Sequence, residues 1–219
     1  MKAAEVVEFI RRERLVPVVR AETAELAKQA AIALVDGGVR VLEITLTVPG
    51  GIEVMRELAE MYHKPGKEPI ALVGAGTVLD ADMARRCVEA GALFIVSPGL
   101  DQATVEYGNQ QDIAVMPGAL TPTEVIAANR MGAKAVKIFP CSAMGGAPYL
   151  KALKAPLPNV ELLPTGGVKL DNLGDFLGAG AVGVGVGAAL VDIKLLKASG
   201  PAALSEKARA FVKAAAEFS

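Results

Sequence analysis

Histidine occurs once and cysteine twice in 219 residues, and that scarcity removes several chemistries at the outset. A single histidine, His63, leaves no Ser-His-Asp triad, no multi-histidine metal site and no histidine base. It lies in Tyr62-His63-Lys64-Pro65-Gly66, a polar loop expected before the third strand, and is read as a surface residue. Cys87 and Cys141 stand far apart without metal-ligand spacing. That pattern argues against a disulfide scaffold and a zinc site, and fits a reducing compartment. Excess charge of one sign is also lacking, with 23 Lys+Arg against 24 Asp+Glu and a net charge of −1. No basic stripe is available for a phosphate backbone, so no nucleic-acid partner is expected. Long hydrophobic runs are missing: the longest, Ala179–Val191, has 13 residues rich in glycine and alanine, too short to cross a bilayer. Met1 to Arg14 mixes Glu5, Glu8 and Glu13 with Arg11, Arg12 and Arg14, unlike a signal peptide. What is present is apolar residues, 52% of the chain, enough for a buried core and against disorder. The expectation is a cytoplasmic globular protein with no membrane partner.

Two kinds of segment alternate. Short β-branched runs read as buried strands at Leu15–Arg20, Val39–Thr45, Ile70–Gly74, Leu93–Val96, Ile113–Met116, Ala135–Phe139, Glu161–Pro164 and Val182–Val186. Between them lie alanine-rich stretches of helical spacing, such as Ala24–Val35, Ile52–Met61, Asp82–Ala90, Thr123–Met131 and Leu170–Leu177. The two-residue period of a half-exposed strand is largely missing, as in parallel strands covered on both faces. A weak repeat supports this: Gly37-Gly38-Val39, Ala90-Gly91-Ala92, Met131-Gly132-Ala133 and Ala179-Gly180-Ala181 each precede a strand. Glycine there suits a left-handed helix C-terminus. Eight strands with intervening helices, plus a helix before the first strand, predict a single domain over 1–219. Its fold class is α/β, a compact (β/α)8 TIM barrel with an extra N-terminal helix. A doubly wound sheet is the rival, disfavoured by the regular repeat and the absence of any linker-like stretch.

In such a barrel, chemistry sits at the C-terminal ends of the strands. Lys137 interrupts the apolar Ala135-Val136-Lys137-Ile138-Phe139. Burial favours the neutral form of an amine, the form a Schiff-base nucleophile requires; the alternative is a lysine snorkelling to solvent or paired with a carboxylate. Glu43 shares a strand face with residues 39, 41 and 45, and reads either as a general acid/base or as the partner of a cation such as Lys137 or Arg20. Arg20 ends the first strand, where a guanidinium either captures a substrate carboxylate or faces solvent. Pro164-Thr165-Gly166-Gly167-Val168 follows strand seven, and the run containing Gly185 and Gly187 covers strand eight and its loop. They either cradle a phosphate on backbone amides or relieve strand–helix crowding. Gly185-x-Gly187 is only a weak dinucleotide signal, because too little chain follows for the remaining βαβ unit and its acidic ribose ligand. Thr77 follows the third strand, available to a ligand or simply part of a helix start, and Ser97-Pro98-Gly99 makes a turn after the fourth.

Gly74-Ala75-Gly76-Thr77-Val78-Leu79, Ser97-Pro98-Gly99, Pro117-Gly118 with Thr121-Pro122-Thr123-Glu124, Lys137-Ile138-Phe139-Pro140 and Pro164-Thr165-Gly166-Gly167 occur in this order. Together they resemble the 2-keto-3-deoxy-6-phosphogluconate (KDPG) and 4-hydroxy-2-oxoglutarate (KHG) aldolase family, over roughly Leu15 to Leu190. The resemblance implies a class I aldolase that uses neither metal nor cofactor, is usually a homotrimer, and yields pyruvate and an aldehyde. By the same resemblance Lys137 is the Schiff-base lysine and Glu43 the acid/base. Thr77 and Thr165 bind pyruvate, Pro98 packs near it, and Gly166 and Gly167 with the strand-eight loop (Gly185, Gly187) cradle phosphate. Two positions depart from the family. Thr47 stands where phosphogluconate aldolases often have arginine, leaving Arg20 to hold the carboxylate, as the phosphogalactonate branch resembles. Ala188 stands where a serine is usual, which removes one phosphate hydrogen bond. An unphosphorylated 2-keto-3-deoxy acid is therefore an alternative substrate, and a non-catalytic phosphate-binding barrel the alternative function.

Overall fold

The computed structural model describes residues 1–64 and 66–218. The chain opens with α1 (Ala3–Glu13), then β1 (Leu15–Val19), α2 (Ala24–Asp36), β2 (Val41–Thr45), α3 (Gly51–Tyr62), β3 (Leu72–Gly76) and α4 (Ala81–Glu89). It continues through β4 (Phe94–Val96), α5 (Gln102–Gln111), β5 (Ala114–Met116), β6 (Gly118–Ala119), α6 (Pro122–Arg130) and β7 (Val136–Ile138). A 3-10 turn (Cys141–Met144) leads into α7 (Ala147–Lys154), β8 (Leu162–Pro164), α8 (Leu173–Gly178), β9 (Val184–Val186), α9 (Ile193–Ser199) and α10 (Pro201–Ala216). The helix-closing glycines Gly38, Gly91, Gly132 and Gly180 all have φ between 91° and 99°, the left-handed conformation in which a Cβ is penalised.

All strand pairing is parallel, which the helical crossovers make obligatory. One sheet runs β5-β4-β3-β2-β1-β9 and the other β6-β7-β8. Eight strands were expected and the described residues hold nine, because the fifth is interrupted at Pro117. Proline has no N–H for the ladder, so β5 ends before it against β4 while β6 begins after it against β7. At the other margin of the second sheet, Thr165 bridges to Gly185 and the Val182 amide donates to the Leu162 carbonyl at 2.9 Å. The third strand also begins later than expected: Ile70 is exposed after Pro69, and β3 runs on to Gly76.

Two apolar clusters hold these elements. The larger lies between the strands and the surrounding helices. The smaller joins the first inward residues of the strands, including Val16, Val41, Leu72, Phe94 and Leu163, to Ala3, Val6, Val7 and Ile10 of α1. Those α1 positions recur at three- and four-residue spacing and make one helical stripe, so α1 seals the N-terminal ends of the strands. Burying Phe9 and Ile10 contributes about 1.5–3 kcal/mol each. Strand parity then dictates what lies above. Val16-Val18-Arg20, Val41-Glu43-Thr45, Leu72-Gly74-Gly76, Ala135-Lys137 and Leu163-Thr165 each carry the inner face from apolar at the sealed end to small, polar or charged at the other.

Candidate active site

The inner face brings two ionisable side chains together under almost complete burial. Lys137 on β7 is 6% exposed and Glu43 on β2 is 1% exposed, and Lys137 Nζ lies 3.8 Å from Glu43 Oε1. The lysine also stands 5.0 Å from the Phe139 ring centroid, a cation–π distance. Neither Glu43 oxygen has a hydrogen-bond partner among the described residues. Burial therefore pushes its carboxyl above the usual range, while Lys137 and then Arg20 pull the other way. A buried carboxyl whose pKa is raised, beside an amine, is an arrangement suited to proton transfer.

Register explains why the carboxylate fits. Glu43 pairs with Val18 and Gly74, and Thr45 with Gly76, so glycine faces β2 twice on the neighbouring strand. A Cβ at Gly76 would overlap Glu43 Oε1 and lie 2.6 Å from its Cγ and 2.7 Å from its Cδ. The space occupied by the glutamate is the side chain Gly76 lacks. Sequence reasoning quoted Gly76 only as part of a motif; the signal available was its parity beside Glu43. Phe139, whose ring faces the lysine at 5.0 Å, was likewise quoted only within an apolar run and a motif.

Arg20 follows β1 directly, exposed at the mouth yet close enough to act on Glu43. Its guanidinium donates no hydrogen bond and makes no ion pair among the described residues. Thr45 donates to the Val19 carbonyl at 3.0 Å, and Thr47 sits 2.9 Å from the Thr45 oxygen. Thr45 has one hydroxyl proton, so Thr47 donates to it, and the Thr47 lone pairs are left for solvent or ligand. Thr77 is half-buried with φ 59°. A β-branched residue in the left-handed region is strained by about 1–3 kcal/mol, a feature typical of functional positions. It does not begin a helix; α4 is capped by Asp80, which accepts from the Met83 amide at 2.7 Å.

Thr165 is 6% exposed at the end of β8. A Cβ at Gly185 would overlap its Oγ1 and lie 3.0 Å from its Cβ, so Gly185 gives Thr165 room. Gly166 and Gly167 both take positive φ, 95° and 78°. Their amides, and that of Ala188, donate to no backbone acceptor among the described residues. Gly187 is half-buried with open space around it, and Pro98 is exposed on the turn after β4, where Ser97 Oγ donates to the Gly99 carbonyl at 2.7 Å.

His63 departs from the expected surface position. It is half-buried, and its Nε2 accepts the Val73 amide at 3.2 Å, joining the end of α3 to β3. Burial lowers its pKa, which keeps the imidazole in the neutral form that accepts. Both cysteines are buried and free, and burial pushes their thiols up to about 11. Among the described residues no cluster of three or more His, Cys, Asp or Glu could hold a metal ion, and no helix is long and apolar enough to cross a membrane.

Comparison with known proteins places the chain in a family. A sequence model described as "Aldolase: KDPG and KHG aldolase" matches residues 6–206. The KHG/KDPG aldolase of Escherichia coli is 36% identical over 201 residues, 92% of each chain. The 2-dehydro-3-deoxy-phosphogluconate aldolase of Pseudomonas aeruginosa is 35% identical over 176 residues, 80% of this chain and 77% of its own. The structure of KDPG aldolase from Legionella pneumophila, with pyruvate captured as a covalent carbinolamine intermediate, superposes with a TM-score of 0.84 at 31% identity. That match covers 96% of this chain and 98% of the Legionella one. With a model matched over most of the chain and relatives above 30% identity, this chain belongs to the KDPG and KHG aldolase family.

Proposed function

We propose that this chain is a class I aldolase, a carbon–carbon lyase that cleaves a 2-keto-4-hydroxy acid into pyruvate and an aldehyde through a Schiff base on Lys137. The observation that carries the reading is the buried Lys137 amine 3.8 Å from a Glu43 carboxyl with no hydrogen-bond partner among the described residues. The amine attacks the C2 ketone, giving a carbinolamine that loses water to a protonated imine. Glu43 accepts the C4 hydroxyl proton, and the C3–C4 bonding pair flows to the iminium nitrogen. The aldehyde departs and a neutral enamine remains, avoiding a free carbanion. Glu43 returns the proton to C3, and water hydrolyses the resulting imine to pyruvate and free lysine. No step calls for a cofactor.

Arg20, Thr77 and Thr165 hold the pyruvyl unit, with the guanidinium forking onto its carboxylate, and Pro98 packs against it. The free amides of Gly166 and Gly167 receive the distal phosphate or carboxylate together with Gly185 of β9 and Gly187 in the loop after it. The aldehyde is glyceraldehyde 3-phosphate or glyoxylate. Ala188 offers no hydroxyl there, which favours a second reading in which the substrate is an unphosphorylated 2-keto-3-deoxy acid or a phosphogalactonate analogue.

The same reading extends to architecture. We take residues 1–219 as one domain, with the two sheets continuing through Pro117 and the Thr165–Gly185 bridge into a closed (β/α)8 barrel. We also take the enzyme to be a cytoplasmic homotrimer. Borohydride reduction in the presence of pyruvate, followed by peptide mass spectrometry, tests the mechanism. A reduced pyruvyl adduct confined to Lys137 is expected. Its absence where pyruvate demonstrably binds overturns the Schiff base and favours a phosphate-binding barrel without catalysis. A panel of phosphorylated and unphosphorylated substrates then assigns the aldehyde.

A further inference from the structure

The glycines of β3 are unequal in what they make room for. Gly74 and Gly76 share the inner face of one strand, two residues apart. A Cβ at Gly74 would meet the Phe94 ring at 2.5 Å, an apolar neighbour in the sealed end. A Cβ at Gly76 would meet nothing but the Glu43 side chain within the closest three contacts, overlapping Oε1 and reaching to 2.6 Å of Cγ. Gly76 lies outside the positive-φ region, so an L-residue is allowed there by its backbone and only the collision forbids it.

Glu43 has little else to fix it. Its carboxyl oxygens accept no hydrogen bond among the described residues, and its one ion-pair contact among them is Lys137 at 3.8 Å. A long side chain without hydrogen bonds is held by the shape of its surroundings, and the space its carboxyl occupies is the place a Cβ at Gly76 would take. We propose that Gly76 is a positioning residue, setting the Glu43 carboxyl against Lys137 by the absence of a side chain. This rests on the Schiff-base reading of the site.

Three ionisable groups meet here: Glu43 on β2, Lys137 on β7 and Arg20 after β1. The inner positions of β3, Gly74 and Gly76, bring none. In Gly76→Ala the added methyl displaces the carboxyl from this position. A carboxyl shifted toward the mouth, where Arg20 lies, is expected to lose part of the burial that is the largest influence on it.

The experiment compares the intact enzyme with Gly76→Ala and Gly74→Ala, each given pyruvate. Borohydride-trapped adduct on Lys137 reports imine formation, and exchange of the pyruvate C3 hydrogens with deuterated water reports proton transfer. Gly76→Ala should keep an end-point adduct yield within about twofold while exchange falls about tenfold or more, the lower part of the general acid–base range. Its acid limb of exchange should move to lower pH. Gly74→Ala should lose stability with an unmoved pH profile. A second background guards against simple misfolding. Glu43→Asp shortens the carboxyl side chain by one methylene, so combining it with Gly76→Ala should reduce exchange far less than Gly76→Ala does in the wild type. Equal exchange rates and equal acid limbs in the two alanine variants overturn the proposal, as does an undiminished effect of Gly76→Ala in the Glu43→Asp background. Failure of the wild type itself to form an adduct refutes the underlying Schiff-base reading instead.

Discussion

Glu43→Gln should make the protein more stable and nearly inactive, and the two effects should have different pH dependence. The side chain is 1% exposed, and neither oxygen has a partner among the described residues. Ionised, it bears the desolvation of a full charge, offset only by Lys137 at 3.8 Å and by Arg20 at the mouth. Burial outweighs both, so the folded pKa lies above the unfolded value of about 4.3. A carboxyl whose folded pKa is raised contributes stability that is fully present below the unfolded pKa. That contribution is lost as pH rises through the folded value, because the folded state then binds more protons than the unfolded one. The Glu43→Gln amide keeps the shape and lacks the proton equilibrium.

The stability of the Glu43→Gln variant minus that of the wild type should therefore grow as pH rises above about 4. The scale at the upper end is about 1–3 kcal/mol, comparable to relieving one poorly satisfied buried polar group. Each kcal/mol corresponds to about 2–4 °C in Tm for a chain of this length. Lys137 loses its ion pair in the variant but retains the Phe139 ring at 5.0 Å. Urea denaturation of both proteins at pH 5 and pH 8 reads the difference, and turnover on the same preparations should fall about 10²–10⁴-fold. A Glu43→Gln variant less stable than the wild type at pH 8, or a stability difference independent of pH, refutes the argument that desolvation dominates this site.

Gly185→Ala places a Cβ over Thr165 Oγ1. It should cost about 1–3 kcal/mol of stability and raise KM for the substrate more than it lowers kcat, read by steady-state kinetics with thermal melts. His63, whose folded pKa is depressed by burial, stabilises the fold above the unfolded histidine value of about 6.5. That contribution should be lost as pH falls through the folded value, so His63→Asn should flatten the decline in urea midpoint between about pH 7.5 and pH 5.5. The thiols of Cys87 and Cys141, pushed up to about 11, should react with an aromatic disulfide reagent at pH 8 only on unfolding. Rapid native-state labelling followed by absorbance would contradict their burial.

The strand–helix alternation was legible in one chain because local signals carried it. β-branched runs, alanine-rich stretches and four glycines with left-handed φ at helix ends are properties of neighbouring residues. Parity alone set Glu43 and Thr45 on one face, and the apolar company of Lys137 announced its burial. The split of the fifth strand was also written in the chain, at Pro117, yet its consequence needed the partners: β4 on one side and β7 on the other. Other features depended on residues far apart in sequence. The 3.8 Å approach of Lys137 to Glu43 joins positions on separate sheets. The room for the carboxylate belongs to Gly76 and that for Thr165 to Gly185, each supplied by a different strand. His63 looked solvent-facing from its polar neighbours, and became a half-buried acceptor because β3 brought the Val73 amide to it. Hydrophobic period and glycine punctuation are decided within a few residues, so sequence determined the elements. Distances between strands and the burial that shifts a carboxyl arise from packing, so only the tertiary structure decided the site.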